Sequence, residues 1–345
     1  MIQEALHDLA LKQDLSRDRA AAALGDIMEG KATQAQIGAF LMGLRVKGET
    51  VEEITGLAST MRAKATRIVT TRSPLVDTCG TGGDHSGTFN ISTAAAFVAA
   101  GSGVAVAKHG NRSATSKCGS ADVLEALGVQ LDASPDQVGR CIDDVGIGFL
   151  FARALHTCMK HVAGPRAELK TRTVFNILGP LTNPAGACGQ VIGVFDRDLV
   201  ETLAQVLANL GTRRAFVVSG PDGLDELGLS GPSTVCEVSG KGLRKYEIRP
   251  EDAGLAPAPL TAVRGGGPEE NAGLLRAVLE GQHGPHRDIV LLNAAAALLA
   301  ADDHSTDWRE AVERASSSID SGSALAKLDA LIAASGALTE TGGKP

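Results

Sequence analysis

A glycine-rich segment between a strand pattern and a helix pattern constrains this chain more than any other feature. Pro74-Leu-Val-Asp77 is typical of the end of a short strand, and the apolar run Thr93–Ala100 predicts a buried helix. Four glycines and four hydroxyl or amide side chains lie between them: Gly80, Gly82, Gly83, Gly87, Thr81, Thr88, Asn90 and Ser92. Free backbone N–H groups at a helix N-terminus favour negative charge. The segment therefore predicts a phosphate site.

Neither of the two common phosphate-binding glycine patterns fits this segment. The dinucleotide pattern needs glycine at its first, third and sixth positions, and counting from Gly80 the sixth residue is His85. The P-loop needs a lysine after its second glycine, and no lysine occurs between Pro74 and Ala107. A glycine-rich turn without a ligand is the alternative, but the dense hydroxyl and amide groups favour a phosphate site of another kind.

The composition argues against a nucleic-acid or membrane protein. The net charge is −7, which disfavours broad nucleic-acid binding, and no apolar stretch is long enough to span a bilayer. The N-terminal residues indicate an amphipathic helix and not a signal peptide. No C-x-x-C pair occurs among the six cysteines, so we expect buried thiols in a cytoplasmic protein: Cys79, Cys118, Cys141, Cys158, Cys188 and Cys236.

The hydrophobic pattern changes near Pro74 and so predicts two domains. Capping boxes and glycines bound four helix patterns in the first 70 residues: Ile2–Leu11, Ser16–Met28, Thr33–Val46 and Thr50–Ala65. Beyond Pro74, strands alternate with helices, which predicts a mainly parallel sheet covered by helices. We expect a helical domain over 1–70, with helical residues from about 156–184 packing on it. The α/β domain is expected to comprise 71–155 and 185–345.

Three further motifs follow predicted strands or begin a helix. Lys108-His-Gly-Asn111-Arg follows the Val104–Ala107 strand, so Lys108 is expected to meet a phosphate and Asn111 an organic substrate. Gly119-Ser120 begins the next helix, which we expect Ser120 to cap. Asp225-Glu226 follows the Ala215–Ser219 strand and suits Mg²⁺ bound beside phosphates. A solvated loop and a polar turn are the respective alternatives for Lys108 and the acidic pair.

A basic cluster lies on a later predicted helix. His156, Lys160, His161 and Arg166 occur within eleven residues. Zinc binding is an open but poorly supported alternative, since no third ligand has suitable spacing. Arg166 is the better candidate for function, because a guanidinium binds a carboxylate through two parallel hydrogen bonds.

Taken in order, six segments of the chain closely resemble the anthranilate phosphoribosyltransferases, enzymes of the tryptophan pathway. The resemblance covers nearly the whole chain. The segments are Gly80-Thr-Gly-Gly-Asp84, Thr88-Phe-Asn-Ile-Ser-Thr93, Lys108-His-Gly-Asn-Arg112, Gly119-Ser-Ala-Asp-Val-Leu-Glu-Ala-Leu-Gly128, Arg172-Thr-Val-Phe-Asn-Ile-Leu-Gly-Pro-Leu-Thr-Asn-Pro184 and Asp222-Gly-Leu-Asp-Glu226.

The resemblance implies a fold of the nucleoside phosphorylase and phosphoribosyltransferase kind, and a homodimer formed through the helical domain. It implies that the amine of anthranilate displaces pyrophosphate from 5-phosphoribosyl 1-pyrophosphate with the help of Mg²⁺. Anthranilate would contact Gly80, Asn111 and Arg166, and Mg²⁺ would contact Ser92, Asp225 and Glu226. The donor would contact Gly80, Gly82, Gly83, Asp84, Thr88, Asn90, Ser92, Thr93, Lys108 and Ser120. We expect neither a covalent nucleophile nor a general base, because the aromatic amine is already neutral at pH 7.

The chain departs from the family pattern around the expected acceptor site. Arg153, Thr157 and Gly164-Pro165 replace commoner residues there, and Cys118 stands where serine is common. Two alternatives are a related transferase or phosphorylase with another acceptor, and a non-catalytic nucleic-acid-binding relative. The second alternative predicts a basic cleft without Asp225-Glu226, whereas this chain is acidic and has both carboxylates.

Overall fold

The computed structural model describes residues 1–113, 116–155 and 159–341, and its N-terminal part is helical as predicted. The first four helices are α1 (Ile2–Ala10), α2 (Arg17–Met28), α3 (Gln34–Lys47) and α4 (Val51–Lys64). Both predicted capping boxes are confirmed: Thr33 and Gln36 exchange side-chain to backbone hydrogen bonds at the start of α3, and Thr50 and Glu53 do so at the start of α4.

A seven-stranded sheet forms the centre of the larger domain, in the order β3-β2-β1-β4-β5-β6-β7. Strands β1 to β5 run parallel, and β6 and β7 add an antiparallel hairpin at one edge. The strands are β1 (Leu75–Gly80), β2 (Ala105–Gly110), β3 (Ile147–Phe151), β4 (Gly189–Gly193), β5 (Arg214–Ser219), β6 (Ser233–Ser239) and β7 (Gly242–Ile248). The predicted mainly parallel sheet is confirmed.

The strand order creates a switch point between β1 and β4. From β1 the chain first builds outward through β2 and β3, and then returns to place β4 on the other side of β1. Gly80 and Gly193, the last residues of β1 and β4, are register partners. The connections leaving these two strands diverge, so a crevice opens at their carboxyl ends, where ligands bind in open α/β sheets.

Helices cover both faces of the sheet. The covering and connecting helices are α5 (Ile91–Gly101), α6 (Ser120–Ala126), α7 (Pro135–Val145), α8 (Ala152–Leu155), α9 (Lys160–Leu169), α10 (Phe175–Leu178), α11 (Leu199–Asn209), α12 (Pro268–Leu279), α13 (Pro285–Ala301), α14 (Trp308–Asp320) and α15 (Ser323–Thr341). The alanine-rich helices α5 and α13 are buried almost all round and pack against each other in one core. In a second core, the other face of the sheet and α11 pack against the helical domain.

Two local predictions are wrong by a few residues. The apolar pattern of the sequence predicts a strand over Val191–Phe195, whereas strand β4 covers Gly189–Gly193. Both glycines admit close neighbours: a Cβ on Gly189 would lie 2.6 Å from the Ala300 carbonyl oxygen, and one on Gly193 would overlap the Asp225 backbone. Gly119, not Ser120, is the N-cap of α6. The Ser120 hydroxyl bonds the backbone of Asn111 and is therefore not free to cap the helix.

Helix α9 contacts α2 and α3 of the helical domain. A Cβ added to Gly30, which follows α2, would lie 3.0 Å from the His161 ring, and one added to Gly164 would lie 3.1 Å from the Gln34 amide oxygen. Small residues therefore permit this close packing. In the part of the chain that the structure describes, no helix is long and apolar enough to cross a membrane.

Candidate active site

The glycine-rich loop lies at the switch point. It leaves β1 at Gly80 and reaches α5 at Ile91. Gly82, Gly83 and Gly87 have φ angles of 64°, 80° and 68°, a region that side-chain-bearing residues rarely adopt. The Thr81 N–H donates to the Gly193 carbonyl at 2.9 Å, which ties the loop to the end of β4. The predicted strand, glycine loop and helix unit is confirmed.

Two carboxylates from the loop after β5 reach into this unit. The Asp225 Oδ2 accepts a hydrogen bond from the Gly82 N–H at 2.7 Å, and the Glu226 Oε1 accepts one from the Ser92 N–H at 3.2 Å. A Cβ on Gly80 would lie 3.0 Å from the Asp225 carboxyl carbon, so glycine is required for this approach. The structure thus brings the predicted acidic pair to the predicted anion site.

The acidic pair is electrostatically unsatisfied. Burial, followed by repulsion from Asp84, raises the pKa of Asp225 to about 7. Burial, followed by repulsion from Asp225, raises the pKa of Glu226 to about 8. These carboxylates therefore resist ionisation near neutral pH unless a cation joins them.

Lys108 comes from β2 and lies beside the pair. Its side chain is buried, and its Nζ donates to the Thr78 carbonyl at 2.5 Å and to the Ser92 Oγ at 3.5 Å. Burial lowers the pKa of Lys108, while the negative charges of Asp77 and Glu226 oppose that shift. A buried ammonium with few partners is suited to an incoming anion.

The site fits a magnesium ion that is held jointly by protein carboxylates and a substrate phosphate. Across residues 1–113, 116–155 and 159–341, no three His, Cys, Asp or Glu side chains converge closely enough to hold an ion by themselves. Mg²⁺ needs no such protein cage, because it keeps several waters and is commonly held by one or two carboxylates together with substrate phosphates. Asp225 and Glu226, with raised pKa values and Ser92 next to them, match that requirement.

Of the other predicted donor residues, Ser120 begins α6, and the rest lie in the loop or at the start of α5. The Thr88 and Ser86 hydroxyls are 3.1 Å apart, and Asp84 accepts from the Ser86 N–H. The Thr93 hydroxyl is buried and has no hydrogen-bond partner among the described residues. Asn90 is already engaged: its amide nitrogen donates to the Cys118 carbonyl and its oxygen accepts from Asn271.

The predicted acceptor residues lie on separate elements. Asn111 follows β2 and is exposed, whereas Arg166 is half-buried on α9 with its guanidinium 5.4 Å from the centre of the Phe175 ring. Burial lowers the pKa of Arg166, and within the described ranges no carboxylate pairs with it. No hydrogen bond of the described residues joins Arg166 to Asn111 or Gly80.

Three of the departures from the family pattern lie in the described residues, and one of them, Gly164-Pro165, is within α9. Arg153 is exposed on α8, and burial raises the pKa of Cys118 to about 11. His156, Thr157 and Cys158 lie outside the described residues.

Asp77, Asn183 and Arg172 support the site and were not among the predicted site residues. Fully buried Asp77 accepts hydrogen bonds from the Asn183 amide at 2.7 Å and from the His109 N–H at 2.9 Å. Arg172 donates to the Thr81 carbonyl at 3.3 Å, and its guanidinium lies 4.4 Å from the centre of the Phe195 ring. Their partners are distant in sequence, so spacing could not reveal their roles.

Comparisons with known proteins agree with this architecture. Residues 3–65 match the helical bundle domain of a glycosyl transferase family, and residues 72–325 match the α/β domain of the glycosyl transferase family. An anthranilate phosphoribosyltransferase of Symbiobacterium thermophilum is 60% identical over 319 residues, covering 92% of this chain and 93% of that protein.

Solved structures are similar over almost the whole chain. The anthranilate phosphoribosyltransferase of Thermus thermophilus superposes with a TM-score of 0.91 at 47% identity, covering 96% of this chain and 99% of that one. The Saccharomyces cerevisiae enzyme, solved with PRPP and Mg, has a TM-score of 0.89 at 30% identity, covering 97% and 98%. The same yeast enzyme has been solved with 4-fluoroanthranilate.

Proposed function

Since the chain belongs to the anthranilate phosphoribosyltransferase family, we propose that its phosphoribosyl donor binds at the switch point between β1 and β4. The chain transfers the phosphoribosyl group of 5-phosphoribosyl 1-pyrophosphate to the amine of anthranilate, giving N-(5-phosphoribosyl)anthranilate and pyrophosphate. This is a glycosyl transfer in tryptophan biosynthesis, and Mg²⁺ is its cofactor.

One observation carries the proposed placement of the donor. Asp225 and Glu226 accept hydrogen bonds from N–H groups of the glycine loop and of the start of α5, beside buried Lys108. Backbone donors, a buried ammonium and two carboxylates that need a cation are the groups required by a metal-bound pyrophosphate. The proposed donor-binding residues are Gly80, Gly82, Gly83, Asp84, Thr88, Asn90, Ser92, Thr93, Lys108 and Ser120, and the proposed metal ligands are Ser92, Asp225 and Glu226.

These residues would act by positioning and by electrostatic stabilisation. As pyrophosphate leaves C1, positive charge grows on the ribose and negative charge on the leaving group. Lys108 and the loop N–H groups stabilise the leaving group, and Asp225 and Glu226 hold the cation that neutralises it. The attacking aromatic amine is neutral at pH 7, so the reaction needs neither a covalent intermediate nor a strong general base. A trapped phosphoribosyl-enzyme adduct would contradict this account.

The proposed acceptor residues are Gly80, Asn111 and Arg166. Arg166 supports the assignment because it is half-buried and has no carboxylate partner in the described ranges, so it can bind the carboxylate of anthranilate. Arg166→Lys would remove the two parallel hydrogen bonds. We expect KM for anthranilate to rise at least tenfold while KM for the donor changes little, and equal effects on both would contradict the assignment.

We further propose the predicted domain limits, a helical domain over 1–70 and an α/β domain over 71–155 and 185–345. We also propose that the protein is cytoplasmic and forms a homodimer through the helical domain. The helical domain exposes Leu11 and Val46, which are 57% and 70% accessible and are apolar enough to favour a partner surface. Light scattering after size exclusion is expected to give twice the chain mass. Val46→Asp should produce monomers, whereas Leu243→Asp on β7 should not; a wild-type monomer would refute the proposal.

The reaction and the metal site are tested together by the loss of anthranilate fluorescence. Turnover is expected only with the donor and Mg²⁺ present. Asp225→Asn with Glu226→Gln should raise the Mg²⁺ concentration needed for half-maximal activity at least tenfold. Asp222→Asn is a matched control, since Asp222 is exposed in the same loop, forms no hydrogen bond to the glycine loop, and has a left-handed φ of 58° that asparagine tolerates. An unchanged Mg²⁺ response in the double variant would refute the metal assignment.

A further inference from the structure

A second cavity lies at the amino ends of the parallel strands, whereas the glycine loop lies at their carboxyl ends. Its volume is about 680 Å³, and it is lined by residues at the amino ends of β1, β4 and β5 and by the end of α4. The six residues of β1 place its two ends about 17 Å apart, at a rise of roughly 3.3 Å per residue. This cavity is therefore distinct from the donor site.

The cavity is strongly cationic. Arg62, Arg67 and Arg72 line it, and no Asp or Glu is among the described residues that line it. This positive charge contrasts with the net charge of −7 of the chain as a whole. The nearby Asp143 carboxylate does not line the cavity, and the Thr70 and Thr71 hydroxyls and the Thr71 N–H donate to it.

Arg62 lies deepest of the three arginines and is only partly satisfied. Its Nε donates to the Leu181 carbonyl at 2.7 Å and its Nη1 contacts the Leu210 carbonyl at 3.4 Å. Burial lowers the pKa of Arg62, and no carboxylate of the described residues opposes that shift. A half-buried guanidinium is costly without a negative partner, so this side chain favours an anion in the cavity.

Other groups around Arg62 are available to a ligand. Arg67 is exposed and, in the described part of the chain, forms no hydrogen bond or ion pair. Arg72 is held at the rim by two hydrogen bonds to the Asp143 carbonyl, at 3.1 and 2.8 Å. The Thr212 hydroxyl is buried at the cavity and has no partner among the described residues.

We propose that this cavity binds an oxyanion, the phosphate or carboxylate group of a small metabolite, between Arg62, Arg67 and Arg72. Guanidinium groups bind such groups with paired hydrogen bonds, and the Thr212 hydroxyl completes the set. The segments 67–73 and 183–188, which connect the helical domain with the α/β domain, both line the cavity. A bound anion would therefore lie between these two connections.

Selenate, a tetrahedral dianion with an anomalous scatterer, is the probe that locates the site. Crystals soaked in selenate are expected to show an anomalous peak between Arg62 and Arg67, in addition to any peak at the glycine loop. A peak at the glycine loop alone would overturn the proposal.

Thermal unfolding of the full chain measures the same site in solution. Sulfate and malonate are titrated against sodium chloride of equal ionic strength, so that phosphate-like and carboxylate ligands are compared. We expect Tm to rise and saturate as the anion concentration increases. The apparent affinity for the anion should fall at least threefold in Arg67→Gln, and further in the double variant Arg67→Gln with Arg72→Gln. Arg314→Gln is the control, because Arg314 is an exposed arginine on α14 outside the cavity. An equal response in all variants, or a rise that never saturates, would overturn the proposal.

Discussion

Asp77→Asn tests whether the buried carboxylate at the centre of the sheet supports the donor site. Asp77 uses both carboxylate oxygens: Oδ1 accepts from the His109 N–H and Oδ2 accepts from the Asn183 amide. Asparagine offers one oxygen and one NH₂ group. One of the two donors would therefore face another donor in a fully buried position.

The surrounding contacts prevent an easy repair. Asn183 cannot simply turn its amide, because its nitrogen also donates to the Ala107 carbonyl at 2.8 Å and its oxygen accepts from the Ala185 N–H at 2.9 Å. A hydrogen bond to a charged group contributes about 1.5–3 kcal/mol when its loss leaves a buried partner unsatisfied. Removing the desolvated charge of Asp77 offsets part of this, because burial raises the pKa of Asp77 to about 6.

We expect the free energy of unfolding to fall by about 2 kcal/mol, which lowers Tm by about 3 °C for a protein of this size. The sign of the pH dependence follows from the raised pKa. The wild type loses stability as the pH rises from the ordinary Asp value of 3.8 to about 6, since its unfolded state ionises first. The asparagine of the variant does not titrate. The difference in free energy of unfolding between the wild type and Asp77→Asn therefore becomes smaller over that pH range.

Activity provides a readout that a purely structural role would not change. The Asp77 charge opposes the lowering of the Lys108 pKa. Without it, Lys108 loses its proton more readily, so KM for the donor should rise severalfold and the alkaline limb of the kcat/KM profile should move to lower pH. Asp288→Asn is the control, a half-buried carboxyl with no hydrogen-bond donor in the described structure. Unchanged Tm and donor KM in Asp77→Asn would refute the reasoning.

Three further predictions concern the glycine loop and its carboxylates. In EDTA, the free energy of unfolding should fall as the pH rises from about 4.5 to 8, because Asp225 and Glu226 have raised pKa values in the folded state. Mg²⁺ binding at pH 7 should therefore release protons, which calorimetry in two buffers measures. Binding without proton release would contradict this prediction. Gly83→Ala combines a φ of 80° with a clash against Arg172, so donor KM should rise at least tenfold, whereas Gly273→Ala, which meets nothing within 4 Å, should be silent. Arg172→Lys weakens the contact of Arg172 with the Phe195 ring, which contributes about 0.5–2 kcal/mol, so Tm should fall while KM for anthranilate stays constant. An unchanged Tm would show that this contact does not stabilise the fold.

The helical domain was predictable because its signals are local. Thr33 with Gln36 and Thr50 with Glu53 exchange hydrogen bonds across three residues, so the sequence alone marks where these helices begin. The glycine loop was predictable for a similar reason, since positive φ angles and a following helix are properties of one short segment.

The limits of β4 and the cap of α6 depend on distant neighbours. Gly193 ends β4 where the Asp225 backbone approaches it, and Ser120 bonds Asn111 instead of capping its helix. Neither contact leaves a periodic signal in the sequence, so both predictions were wrong by a few residues.

By itself, the sequence determined the glycine loop, the acidic pair Asp225-Glu226 and the resemblance to the family, because each depends on residue types within a short segment. Only the tertiary structure decided that the loop lies at the switch point between β1 and β4, with the acidic pair bonded to it and Asp77 beneath it. The reason is physical: strand order and buried hydrogen bonds join residues more than a hundred positions apart, and their energies depend on burial that no local pattern records.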